Sequence, residues 1–118
     1  MDYILFSHRV RAGGAVTFEF VQTDQRPIME LQQLESTATQ IRRDIVRMVH
    51  GAQSGHPGGS LGCAEFFTAL FFDQLEHRPD AFDMAGSGQD LFFLSNGHIS
   101  PVYYSALARS GYFPVEEL

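Results

Sequence analysis

The sequence predicts an α/β fold: the amino-terminal part of an open, mostly parallel sheet that is incomplete in this chain. Three observations carry that prediction. Apolar residues from Leu31 to Ala52 recur at spacings of three and four, which is one face of a helix packed on a core. The run Asp90-Leu91-Phe92-Phe93-Leu94-Ser95 has the length and continuous apolarity of a strand buried on both faces. A turn and another helix follow it, the element order of an open α/β sheet whose ligands gather at the carboxyl ends of strands. Such a sheet needs several strands, and this sequence offers one.

Residues 1–28 differ from the rest in mixing Arg9, Arg11 and Arg26 with a Gly13-Gly14 pair and an alternating Val16-Thr17-Phe18-Glu19-Phe20 stretch. The alternation fits a two-sided strand. The segment reads either as a peripheral extension or as an upstream reading of the true start, and no function is placed on it. Residues 29–118 form the second unit. In its first helix Leu34, Ala38, Ile41, Ile45, Met48 and Ala52 make the apolar face, opposite Gln32, Glu35, Arg42, Arg43 and Arg47. The helix is expected to stop where Ser54-Gly55 meets Pro57, because proline lacks an amide proton and disfavours a helical predecessor.

Ser60 is placed as the cap of a second helix running from Leu61 to about Leu75. Phe66, Phe67, Leu70, Phe71 and Phe72 leave that helix little polar face, so it must be covered on several sides. A polar loop rich in Asp and Gly spans Pro79 to Gln89, the strand follows, and Asn96-Gly97 turns the chain. Ser100 as cap and Pro101 as first helical residue open a third helix through Tyr103, Tyr104, Leu107 and Ala108 to a stop at Gly111. Pro114 is read as the start of a further helix, as if the sequence were cut from a larger unit.

The chain has fourteen acidic against eight basic residues, which argues against a nucleic-acid or anionic-membrane footprint. All the basic residues are arginine, so neither a phosphate-loop lysine nor a Schiff-base lysine is present. Cys63 is the lone cysteine; it reads as a buried structural thiol, fits a reducing compartment and leaves no internal disulfide. No apolar run reaches the roughly 18 residues of a membrane span. With no second cysteine and no H-x-x-x-H pair, a zinc site is not expected.

The chemistry concentrates in two histidine turns, Ser54-Gly55-His56-Pro57-Gly58-Gly59-Ser60-Leu61-Gly62 and Leu94-Ser95-Asn96-Gly97-His98-Ile99-Ser100-Pro101. Each sets an imidazole among glycines where one element hands over to the next, a setting in which the backbone bends sharply and a ligand can come close. Taken singly, either histidine reads as a surface turn residue; the pairing favours a site. His50 and His77 are read as structural, His50 near the polar margin of the first helix and His77 in a solvated loop.

These two turns in this order, with the aromatic helix between them and the Tyr103-Tyr104 helix closing on Arg109-Ser110-Gly111-Tyr112, resemble the amino-terminal region of transketolase. The resemblance covers about residues 29–118. Gly58-Gly59-Ser60 and the ending Gly111-Tyr112-Phe113-Pro114 look most like transketolases encoded as separate amino- and carboxy-terminal subunits. What this implies is a cytoplasmic thiamine diphosphate-binding domain of the pentose phosphate pathway, part of an enzyme that moves a ketol group from a ketose phosphate to an aldose phosphate. It also implies that His98, with Gly97 beside it, binds the cofactor diphosphate and that His56 binds substrate and acts in catalysis. Imidazoles suit the task because protons must reach and leave oxygens near neutral pH. The helix amino terminus at Ser100 and Pro101 would add a favourable dipole for an anion.

The Gly-Asp-Gly metal signature of the family is absent, and Gly86-Ser87-Gly88 does not replace it. The ligands of Mg2+, and the glutamate that activates the cofactor, are therefore expected outside this chain, in the remaining transketolase segments or a carboxy-terminal subunit. The complete enzyme would be a homodimer or heterotetramer, and this piece alone inactive. Two alternatives stand beside that reading. A 1-deoxyxylulose-5-phosphate synthase would also carry a glycine-histidine turn, though Ser95-Asn96 favours transketolase. A non-catalytic interaction fragment would keep the motifs without the enzyme.

Overall fold

The computed structural model describes residues 29–118; the expectations for residues 1–28 lie outside it. Helix α1 (Leu31–Ala52) forms where the apolar periodicity places it and buries Ala38, Ile41 and Ile45 along one face. It ends at Gln53, which takes a left-handed conformation (φ 49°) while its side-chain amide donates to the His50 carbonyl at 2.6 Å. The break thus precedes the proline by several residues.

The second helix starts earlier than expected and is divided. Helix α2 (Pro57–Gly62) begins at Pro57 with His56 as its extended N-cap, because a proline at the first helical position already holds helical φ and has no amide to satisfy. Ser60 is consequently not a cap: it lies inside α2, fully buried, and its hydroxyl has no partner among the described residues. Helix α3 (Ala64–Ala69) follows Cys63, which is half-buried and free rather than fully buried. A π-helical turn continues from Leu70 to Gln74. There the Leu75 amide donates to the Leu70 carbonyl at 2.8 Å, and the Phe71 carbonyl instead meets His77 Nε2 at 2.7 Å. The His77 ring also stacks on Tyr112, centroids 5.6 Å apart. His77 is thus a packed residue that closes the π turn, not a solvated one.

The core joins these helices to α4 (Ser100–Arg109). Ile41, Ile45, Ala64, Phe67, Phe71, Val102 and Ala106 form one buried cluster. Phe67, Phe71, Phe92 and Tyr103 pack as an aromatic group with centroids 5.5 to 6.2 Å apart, in edge and tilted arrangements that favour opposed ring quadrupoles, apart from the stacked Phe67–Phe71 pair. A second tie is polar. Asp44 on α1 is 2% exposed and receives Arg109 Nε at 2.5 Å, Arg109 Nη2 at 2.9 Å and the Ser105 hydroxyl at 2.7 Å. Bidentate pairing of this kind satisfies a buried carboxylate on both oxygens.

Among the described residues there is no strand. Asp90–Ser95 has no regular secondary structure and is fastened at its start by the Asp90 amide to the Glu76 carbonyl (2.6 Å) and the Glu76 amide to the Asp90 carboxylate (2.9 Å). Burial on both faces is not seen either: Phe92 enters the aromatic group, whereas Phe93 is 75% exposed. The physical reason is the missing neighbour, since a strand exists only where another backbone takes up its N–H and C=O groups. The α/β expectation is therefore not met within these residues, which are helical and irregular. The third helix, by contrast, stops as expected. Gly111 has φ 96°, its amide bonds the Ala108 carbonyl, and the Tyr112 amide bonds the Leu107 carbonyl, the paired pattern of a Schellman stop. Pro114 lies outside the short turn Val115–Glu117, as its extended N-cap.

Candidate functional site

Two short segments bring the histidines together. The first leaves α1 through Gly55, whose φ of 99° belongs to a region open to glycine and strained for other residues. His56 then extends (φ −124°, ψ 110°) into Pro57. The second is a single 3₁₀ turn, Gly97–Ile99, leading directly into α4. Asn96 caps it, its side-chain oxygen accepting the His98 amide at 3.2 Å. Ser100 is the first helical residue rather than the cap, and its hydroxyl donates to the Gly97 carbonyl at 2.6 Å. The turn is thus pinned on both sides of His98.

The two segments touch through α2. A methyl group placed on Gly59 would stand 3.1 Å from Ile99 Cγ2, closer than carbon atoms normally approach, so glycine here lets α2 lie against the His98 turn. Beside Gly97 a methyl would meet nothing within 4 Å; the space next to it is open, as a ligand approach would require.

His56, Gly97 and His98 all line one open cleft of about 670 Å³, together with Arg47, Tyr104 and Glu117. Both histidines are exposed, and the paired turns of the sequence thus open onto the same space. His50 and His77 do not line it. Arg47, Tyr104 and Glu117 are additions that the motifs do not announce. A signal for Arg47 exists, since it follows the polar edge of α1 next to Met48, which also lines the cleft; nothing in the pattern marks Tyr104 or Glu117.

Chemically the cleft offers two imidazoles, the Tyr104 phenol, the Arg47 guanidinium and the Glu117 carboxylate. Such a donor set fits an anionic ligand such as a diphosphate, which imidazole and guanidinium N–H groups bind by charge-assisted hydrogen bonds. No group of three His, Cys, Asp or Glu side chains that could hold a metal ion occurs among the described residues. Nor is any helix among them long and apolar enough to cross a membrane.

The profile of the family described as the transketolase thiamine diphosphate binding domain matches residues 34–118. The mouse transketolase is 35% identical over 89 residues, covering 75% of this chain and 14% of the relative. Transketolase 2 of Escherichia coli is 43% identical over 82 residues, covering 69% of this chain and 12% of the relative. One subunit of the apulose-4-phosphate transketolase of Phocaeicola vulgatus is 33% identical over 88 residues, covering 75% of this chain and 31% of the relative. The chain thus spans between 12% and 31% of the length of these relatives.

Proposed function

Because this chain belongs to the family of transketolase thiamine diphosphate-binding domains, we propose that it is the amino-terminal part of an enzyme that transfers a ketol group from a ketose phosphate to an aldose phosphate. The observation that carries the reading is the opening of His56 and His98 onto one cleft. An apulose-4-phosphate transketolase divided into subunits is among the relatives, which supports a partner polypeptide carrying the remainder of the enzyme. In the completed domain Asp90–Ser95 becomes a strand of a parallel sheet, with Phe93 already exposed for a neighbour to cover. The free thiol of Cys63 accords with a cytoplasmic setting.

Thiamine diphosphate, when bound, supplies the carbanion chemistry of the transfer. In this reading His98 donates a hydrogen bond to a diphosphate oxygen, and the open space beside Gly97 admits that group. His56 holds or removes a proton at a sugar oxygen, work suited to an imidazole, whose ring nitrogens can donate or accept. The Mg2+ ligands belong to the remainder of the enzyme, so the chain alone binds the cofactor weakly and does not turn over.

The test is complementation. The purified chain is mixed or co-expressed with a polypeptide supplying the rest of a transketolase, and ketol transfer from a ketose phosphate to an aldose phosphate is measured. Thiamine diphosphate-dependent activity of the mixture, with none from the chain alone, is expected. A mixture that assembles yet stays inactive would show an interaction fragment instead.

A further inference from the structure

We infer that Arg47 is a specificity-determining residue of the cleft, its guanidinium anchoring a phosphate group of the anionic ligand that His56 and His98 face. The inference rests on the reading of this cleft as the cofactor and substrate site, and adds a residue to it. Arg47 lies on α1 and lines the cleft with both histidines. No other arginine among the described residues does so: Arg42 pairs with Glu65, Arg109 is held by Asp44, and Arg43 and Arg78 lie elsewhere.

Arg47 is also available. Its side chain is 72% exposed, and among the described residues its one ion pair is a long one, with Asp44 at 3.7 Å. That distance exceeds a hydrogen bond, because both Asp44 oxygens are already engaged by Arg109 and Ser105 at 2.5 to 2.9 Å. A guanidinium whose neighbouring carboxylate is occupied by another arginine keeps its planar fork of N–H donors for a ligand, and that fork matches a phosphate. The chain carries a net charge of −6, and Arg47 is the one arginine that lines the cleft among the described residues. Glu117, the carboxylate that also lines the cleft, opposes an anion and limits affinity.

The experiment titrates the 118-residue chain with inorganic pyrophosphate at low ionic strength and follows the amide resonances of Gly97 and His98. The wild type is compared with Arg47→Gln, Arg47→Lys, Glu117→Gln and His98→Ala. Arg47→Gln is expected to weaken binding about tenfold, the usual scale for one charge-assisted hydrogen-bonded group. Arg47→Lys should lose less and Glu117→Gln should tighten binding. Equal affinity of wild type and Arg47→Gln overturns the inference, as does absence of any shift in the wild type. A loss in Arg47→Gln with His98→Ala unchanged keeps Arg47 and overturns the role given to His98, so the two assignments fail separately.

Discussion

Gly59 and Ile99 meet as backbone against methyl: a Cβ at position 59 would stand 3.1 Å from Ile99 Cγ2. That contact joins the helix following one histidine to the turn carrying the other. Gly59→Ala is therefore expected to destabilise the chain by about 1 kcal/mol, the overpacking cost exceeding the helix-propensity gain. Gly58→Ala, whose Cβ would meet nothing within 4 Å, should be neutral or slightly stabilising. Thermal melts of both, with Gly59→Ala/Ile99→Ala as the relief variant, check it; a melt of Gly59→Ala above wild type would refute it.

Asp44→Ala should cost about 3 kcal/mol, since it strands the Arg109 guanidinium against α1. Replacing both partners, Asp44→Leu with Arg109→Met, should recover most of that loss. Urea unfolding of Asp44→Leu, Arg109→Met and the double variant gives the coupling directly; additive losses would mean that the pair does not interact.

The two phenylalanines of opposite exposure should separate folding from assembly. Phe67 is 1% exposed, and Phe67→Ala is expected to cost about 3 to 5 kcal/mol. Phe93→Ser, at a residue 75% exposed, should leave the melt of the isolated chain unchanged and reduce complementation of ketol transfer. Equal effects of Phe93→Ser on both measurements would place Phe93 in the core.

Tyr103 and Tyr112 carry the pH prediction. Burial pushes the Tyr103 phenol above its ordinary value, and burial followed by the nearby Tyr103 charge does the same for Tyr112. A phenol whose folded value is raised binds its proton more tightly folded than unfolded, so its contribution is fully present below about pH 10 and is lost as pH climbs through the folded value. Urea midpoints should fall in that alkaline window, and less so in Tyr103→Phe. An identical profile in the variant would contradict the cause.

In the reassembled enzyme His98→Ala should raise the concentration of thiamine diphosphate needed for half-maximal activity, by about tenfold or more, consistent with loss of a charge-assisted hydrogen bond. His56→Ala should leave that requirement in place and lower kcat, or raise KM for the sugar phosphate. Steady-state kinetics with cofactor and sugar varied independently distinguish them, and unchanged kinetics in both would remove the two assignments.

Local signals carry through wherever local physics decides. The spacing of Leu34, Ala38, Ile41 and Ile45 marks α1, and Gly111 marks the stop of α4. The two glycine-histidine turns point to the cleft for the same reason, since their bends are set by residues adjacent in sequence. What stays hidden depends on partners far along the chain. Asp90–Ser95 looks like a strand by composition, yet pairing needs a neighbour that the described residues lack. Ser60 has the composition of a cap, but Pro57 starts the helix first. Nothing in the sequence sets Asp44 apart on α1; only the fold reveals that Arg109 and Ser105 come to it. His77 is similarly opaque, because the π turn that frees the Phe71 carbonyl for it leaves no mark in the periodicity.

The Asp44–Arg109 pair spans 65 positions of sequence, and both histidine turns fall within the stretch it closes. A clasp of that span ties the helix that leads into His56 to the helix that leaves His98, and the entropic cost of closing so long a segment is only slightly above that of a short one. Slackening at either end would therefore reach His56 and His98 together, and an inherited or engineered lesion at Arg109, a residue that does not line the cleft, would present as a loss of the cleft's geometry.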